Sequence, residues 1–213
     1  MDESTCYVLP DAPTEELLIY LHGIVPPTKI SRQKTNFETV VKAASRRANV
    51  AALMPRGRAG LAPKGHEGWW GWPTSRASYQ SLASELLAEL DDKRRRLEVL
   101  TGRPFQRVYL AGSSSGAYFV TALASRQALP VDGYGIISGG ADVPDVDFAK
   151  LRRTPVYIGF GTYDTVGAGA RAFGARLARV GFPVKVAAHP LSHGTAEIYL
   201  DEAFAHFRAE RTD

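Results

Sequence analysis

Five consecutive residues have the types and the spacing needed to present a nucleophilic serine. They are Gly112-Ser113-Ser114-Ser115-Gly116, which fits the pattern G-x-S-x-G. An apolar run from Arg107, typical of a buried strand, precedes them, and small and apolar residues, typical of a packed helix, follow. A serine on a sharp turn between strand and helix occupies strained backbone, and the close approach of these elements leaves no room for Cβ atoms two residues away. The glycines therefore single out Ser114 as the candidate nucleophile.

A general base and an orienting acid are predicted downstream of this serine. A serine hydroxyl is a poor nucleophile until a base takes its proton, and a histidine base needs a carboxylate that fixes its tautomer. Asp164 follows one predicted strand and His193 follows the next, so we expect them to be the acid and the base. His189 is the alternative base, and Asp164 has the ordinary alternative role of a helix cap. The alternative acids are Asp142, Asp145 and Asp147.

Backbone N–H groups are expected to bind the oxyanion that forms when a serine attacks a carbonyl. One donor is the N–H of Ser115, the residue after the nucleophile, and the other is the N–H of Gly23 or Ile24, in the loop after the first clear strand. The ordinary reading of His22-Gly23 is a turn that ends a strand. We also expect His22 to contact the substrate.

The segment from Arg56 to Ser78 lacks periodicity but contains all three tryptophans, Trp69, Trp70 and Trp72. A loop this long in a compact domain is usually functional or disordered, and tryptophans argue against disorder. The three indoles are predicted either to contact the substrate or to cover an edge of the core.

Neither a metal nor a cofactor is expected. His189 and His193 are four residues apart, a spacing that binds zinc on a helix, but Pro190 argues against a helix there. No third ligand is evident in the sequence.

Apolar runs alternate with helical periodicity along the chain. The predicted strands are Glu16–Leu21, Asn49–Met54, the run from Arg107 to the serines, Gly133–Ser138, Pro155–Phe160 and Val184–Ala188. The predicted helices are 31–48, a long one through 79–97, one from the serines to 126, one through 173–180 and one from about 195 to 207. This alternation predicts an α/β fold, a doubly wound and mostly parallel sheet with helices on both faces. Every motif named above follows the carboxyl end of a predicted strand, where such sheets bind ligands.

Composition favours one soluble domain, 1–213. The net charge of the 213 residues is only +4, and the one dense basic run, Lys93–Arg96, lacks interleaved aromatics, so we expect a solvated helix face and no nucleic-acid partner.

The lone cysteine, Cys6, lies in a seemingly irregular segment and cannot form an intramolecular disulfide. Met1–Ser4 lacks the apolar core of a secretory signal, and no apolar run is long enough to span a bilayer. A cytoplasmic location without stable membrane insertion is therefore expected.

Together these motifs resemble the α/β-hydrolase superfamily from about Glu16 to Phe207. The likeness is carried by Leu21-His22-Gly23, by the serine pentapeptide, by Gly161–Val166 and by Ser192-His193-Gly194. In compact length and lack of a cap domain, the chain is similar to the carboxylesterase and phospholipase branch, which includes acyl-protein thioesterases, and to dienelactone hydrolases. The resemblance implies a triad of Ser114, Asp164 and His193, and an aromatic loop at Gly71-Trp72 beside the site. It departs from relatives at Ser113, where many have a larger residue.

The expected activity is hydrolysis of small to medium carboxylic esters or thioesters through an acyl-enzyme. A peptidase or amidase on the same scaffold, and a catalytically silent fold that binds a ligand, are the alternatives. The expected partner is a small-molecule substrate, and the sequence does not fix the oligomeric state.

Overall fold

A computed structural model describes residues 5–28, 30–143 and 145–210. Its strands are β1 (Thr5–Val8), β2 (Glu16–Leu21), β3 (Ala51–Pro55), β4 (Arg58–Ala59), β5 (Trp70–Gly71), β6 (Arg107–Ser113), β7 (Gly133–Ile137), β8 (Val156–Gly161) and β9 (Val184–His189). Its α-helices are α1 (Arg32–Ala48), α2 (Arg76–Thr101), α3 (Ser115–Ala124), α4 (Ala168–Arg179) and α5 (Glu197–Ala209). The strands and helices that sequence periodicity predicts are thus reproduced, with shifts of a few residues at their ends.

Seven of these strands form one twisted sheet in the order β1-β3-β2-β6-β7-β8-β9. All neighbouring pairs are parallel except β1 with β3, which is antiparallel. The central strands are buried along their whole length, which explains why their sequences are continuous apolar runs rather than alternating ones. The predicted doubly wound α/β architecture is confirmed.

The core consists of two layers, one on each face of the sheet. Helices α2, α3 and α4 pack on one face, where Leu110, Phe119 and Phe173 are buried together. Helices α1 and α5 pack on the other face, around Val41 and Phe204. Both faces of the sheet are therefore covered, and its open edge at the carboxyl ends of the strands is left to the connecting loops.

Local sequence signals set the ends of the helices. The Ser31 hydroxyl accepts the N–H of Lys34 at the start of α1, and Ser75 forms a capping box with Ser78 at the start of α2. Asn49 ends α1 in the left-handed conformation. The two serine caps fix where the loops that follow β2 and β5 end.

Two expectations from the sequence are wrong. Cys6 does not lie in an irregular segment, because residues 5–8 form the edge strand β1. Lys93 is not solvated with the rest of its basic run but is buried, with its ammonium donating to the Thr5 hydroxyl at 2.7 Å. The other members of the run pair with acidic residues a turn away, as Arg94 does with Asp91.

The described part of the chain has no helix long and apolar enough to cross a membrane. The prediction about a missing secretory signal concerns residues 1–4, which lie outside the described ranges.

Candidate active site

Ser114 occupies a sharp turn between β6 and α3. Its backbone has φ 51° and ψ −119°, a positive φ that side chains other than glycine rarely adopt. It is the N-cap residue of α3, yet its hydroxyl makes no capping hydrogen bond. A serine at an N-cap ordinarily uses its oxygen to satisfy a helix N–H. Here the hydroxyl is left available for other chemistry.

The two flanking glycines allow this turn to form. A Cβ on Gly116 would lie 2.1 Å from the carbonyl oxygen of Leu21, and one on Gly112 would lie 2.7 Å from the carbonyl carbon of Gly116. Both distances are far inside van der Waals contact, so only glycine fits at either position. The register Leu21↔Gly112 brings the loop after β2 beside the same turn.

The predicted acid and base form a hydrogen-bonded pair. His193 Nδ1 lies 3.0 Å from Asp164 Oδ2, and the second oxygen of Asp164 accepts the N–H of Val166 at 3.1 Å. The Asp164 side chain is only 2% exposed, whereas that of His193 is 47% exposed. The register Gly161↔His189 places the ends of β8 and β9 side by side, which brings the two loops together. A buried carboxylate thus orients an accessible imidazole.

The alternative residues are engaged elsewhere. His189 Nε2 lies 3.1 Å from Glu202 Oε2, which also accepts the Tyr157 hydroxyl at 2.7 Å. Burial would raise the pKa of Glu202, but these hydrogen bonds hold that pKa below its usual value. The three alternative aspartates form ion pairs outside the cleft, with Arg176 for Asp142, Arg76 for Asp145 and Lys150 for Asp147. Their geometry favours Asp164 and His193 for the acid and the base.

Ser114 and His193 line the same cleft. This cleft has a volume of about 520 Å³ and is open to solvent at the carboxyl edge of the sheet. Gly23, Ile24 and Phe37 form other parts of its wall. A larger cavity of about 650 Å³ lies at the opposite edge, around residues that precede strands, and contains none of the predicted catalytic side chains.

The backbone segments that carry the predicted oxyanion donors lie beside the serine. The N–H of Ser115 belongs to the first residue of α3 and has no acceptor within the helix. A Cβ on Gly23 would lie 3.1 Å from the Cβ of Ser114, so the loop after β2 passes directly beside the nucleophile. The backbone of Gly23 and Ile24 is therefore close enough to supply the second donor.

His22 fixes the orientation of this loop from within the protein. Its Nε2 accepts the N–H of Gly57 at 3.0 Å, so its Nδ1 carries the proton and donates to the Gly23 carbonyl. Because the peptide is planar and trans, the Ile24 N–H points away from the His22 ring. Burial lowers the pKa of His22 to about 4, so the imidazole is neutral at pH 7. A ring only 2% exposed does not support the expected substrate contact, and we assign His22 to loop positioning.

The three tryptophans lie outside the wall of this cleft. Trp72 is 1% exposed and stacks on Phe119 in the core, which does not support substrate contact by its ring. Trp70 is half-buried, and its backbone forms a two-way bridge with Val25 at 3.0 and 2.9 Å. Trp69 packs against His66. The tryptophan segment thus supports the loop after β2 through the Trp70–Val25 bridge, and it does not line the cleft.

Several wall residues were not foreseen from the sequence. They are Arg32, Gln33, Asn36, Phe37, Thr195 and Tyr199. Tyr199 is fully buried, and burial and then the charge of Asp164 raise the pKa of its hydroxyl. The first four belong to the start of α1, where the helical pattern identifies Phe37 as a core residue but gives no sign that this end of the helix reaches the site.

No cluster of three or more His, Cys, Asp or Glu side chains suited to a metal occurs among the described residues.

Comparisons with known proteins identify the fold. No protein-family model matches the sequence, and no curated protein is significantly similar to it. Among solved structures, a carboxylesterase from Bacillus cereus superimposes with a TM-score of 0.68 at 13% identity, covering 96% of this chain and 93% of that one. A carboxylesterase from Mesorhizobium loti gives 0.65 at 20% identity, covering 93% and 90%. YahD, solved with malic acid, gives 0.69 at 13% identity, covering 97% and 98%. The chain therefore has the α/β-hydrolase fold that these proteins share.

Proposed function

We propose that this protein is a serine hydrolase that cleaves carboxylic esters or thioesters of small to medium size. The observation that carries the proposal is the position of the Ser114 hydroxyl. It is held in strained backbone, is not used for capping, and shares a cleft with a His193 that Asp164 orients. The similarity in fold to two carboxylesterases supports the same reaction class.

In the proposed mechanism, Ser114 Oγ attacks the ester carbonyl while His193 Nε2 takes its proton. The N–H groups of Ser115 and Ile24 hold the oxyanion of the tetrahedral intermediate. His193 then gives the proton to the leaving alcohol or thiol as the carbonyl–heteroatom bond breaks, which leaves an acyl-Ser114. Water, deprotonated by the same imidazole, attacks this ester and releases the acid and the free serine. Asp164 keeps the correct tautomer and stabilises the imidazolium in both halves.

The size of the cleft supports small substrates. A volume of about 520 Å³ falls in the range of ordinary small-molecule sites. One of the structural neighbours, YahD, was solved with malic acid, a small dicarboxylic acid. We propose no substrate role for Trp72, and we propose that Trp69 and Trp70 act through the loops that they support. One domain, 1–213, in the cytoplasm remains our proposal from the composition.

The test is labelling with a fluorophosphonate probe, followed by mass-spectrometric mapping, together with hydrolysis of matched esters, thioesters and amides. We expect the probe on Ser114 and loss of both labelling and turnover in Ser114→Ala. Ser113→Ala is the matched control, because it removes the neighbouring hydroxyl and should keep the label on Ser114. If the protein hydrolyses amides at rates near those of esters, the proposed assignment changes from esterase to amidase or peptidase. If folded protein is not labelled, the alternative of a catalytically silent, ligand-binding protein is favoured.

A further inference from the structure

We propose that the substrate is an ester that also carries a free carboxylate, and that Arg32 is the residue that selects it. This inference rests on the proposed function, because it concerns the same cleft. It follows from the charge pattern around the nucleophile and not from the reaction itself.

Arg32 stands in the wall of the cleft that contains Ser114 and His193. It is the first residue of α1, directly after the capping Ser31, and its side chain is exposed. Apart from the titratable His193, it is the one charged side chain among the described residues of this wall. The carboxylate of Asp164 does not offset this charge at the surface, because it is buried behind the imidazole. The mouth of the cleft is therefore electropositive.

Arg32 has no ion pair within the described residues, whereas Arg47 on the same helix binds Glu197 and Asp201. The first turn of α1 contains no acidic residue. A cation at the amino end of a helix is also unfavourable, because it meets the positive end of the helix dipole. Neither an ion pair within the described residues nor the helix dipole therefore gives Arg32 a stabilising role in the fold.

The neighbours of Arg32 suit a carboxylate. Gln33 and Asn36, which have amide donors, line the same cleft, and the Asn36 amide donates to the carbonyl of Thr195 at 3.4 Å. An arginine presents two parallel N–H donors that match the two oxygens of a carboxylate. A cleft of about 520 Å³ that contains both Arg32 and Ser114 suits an ester whose carboxylate and scissile carbonyl are joined by a short chain.

The experiment compares two esters of equal shape and different charge. Monoethyl glutarate carries a carboxylate, and ethyl 5-amino-5-oxopentanoate replaces it with a neutral amide. We expect the wild type to hydrolyse the anionic ester with a kcat/KM roughly tenfold higher. Arg32→Gln should remove this preference, so that the ratio of the two kcat/KM values falls to about one. Carboxymethyl butyrate and its amide, compared in the same way, show whether the anion belongs to the acyl or the alcohol part.

The matched control is Arg46→Gln, which removes an exposed, unpaired arginine of the described chain from the other end of α1. Arg46→Gln should keep the preference for the anionic ester, and this result would show that the net charge of the protein alone does not cause the preference. Equal turnover of anionic and neutral esters by the wild type, or an unchanged preference in Arg32→Gln, would overturn the inference and leave the hydrolase intact. Failure to hydrolyse any ester, with Ser114 unlabelled, would instead overturn the proposed function.

Discussion

The backbone of Ser114 is strained, and its strain can be measured. A residue other than glycine held at a sparsely populated φ and ψ is destabilised by about 1–3 kcal/mol. Ser114→Gly relieves this strain, so we expect the free energy of unfolding to rise by about 1 kcal/mol. Ester hydrolysis should be lost at the same time. Urea unfolding of both proteins tests the prediction.

Ser114→Ala provides the control for this measurement. It removes the same hydroxyl but keeps a Cβ in the strained conformation, so its stability should stay within about 0.5 kcal/mol of the wild type. A Ser114→Gly protein no more stable than Ser114→Ala would show that the turn is not strained.

The buried His22 imidazole should make the free energy of unfolding depend on pH. The unfolded chain binds a proton at this position below about pH 6.5, while in the native state burial lowers the pKa of His22 to about 4. Between these values the unfolded state binds more protons, so stability is full above pH 6.5 and falls as the pH falls toward 4. We expect the free energy of unfolding to decrease by about 2 kcal/mol between pH 7.5 and pH 5. Urea titrations at several pH values measure it.

The matched variant is His22→Gln, whose side-chain oxygen can still accept the Gly57 N–H. It should flatten the pH dependence and lower kcat, since the Gly23 carbonyl loses its donor. Burial also lowers the pKa of His206, so a smaller slope of the same sign should persist until His206→Gln is added. An unchanged slope in His22→Gln would contradict the predicted titration.

At the scale of elements, the sequence contained most of what places the site. Parallel strands such as Glu16–Leu21 have both faces covered, and this burial makes them readable as unbroken apolar runs. For the same reason, the sequence shows that the candidate residues Ser114, Asp164 and His193 follow the ends of β6, β8 and β9. The burial of Trp72 could not be predicted in this way, because periodicity does not show whether an indole in a long loop points into the core and stacks on Phe119. The position of Arg32 in the cleft wall could not be predicted either, because it depends on where α1 begins relative to a neighbouring loop.

The junction of β6 and α3 tolerates no side chain at Gly116. An added Cβ would meet the backbone of Leu21, which cannot move without disturbing the central strand β2. We expect Gly116→Ala to lower the free energy of unfolding by about 1–3 kcal/mol or to prevent folding. Thermal and urea unfolding, with circular dichroism of the purified protein, measure either result.

Gly68→Ala is the control for this substitution, because an added Cβ there meets nothing within 4 Å. Its stability should stay within about 0.5 kcal/mol of the wild type. A Gly116→Ala protein as stable as Gly68→Ala would mean that the helix does not approach β2 as closely as described.

For the molecule as a whole, all five α-helices of the described chain pack on the faces of the sheet. None of them covers the cleft, and nearly half of the His193 side chain is exposed. Lid opening limits the rate of many enzymes whose sites are closed at rest. Here the cleft is already accessible, so an apolar interface has no lid to open and should not raise the rate.

We therefore expect the rate of ester hydrolysis to rise smoothly with substrate concentration and to saturate without a step where the ester begins to form droplets. The measurement follows initial rates for an ester of limited solubility across its solubility limit, with a fully soluble shorter ester as the control. Labelling of Ser114 by a fluorophosphonate should likewise proceed at the same rate with and without lipid vesicles, which separates access to the serine from supply of the ester. A sharp rise of either rate at the interface would mean that the loops around His193 close over the cleft in solution, and that the open arrangement is not the resting state.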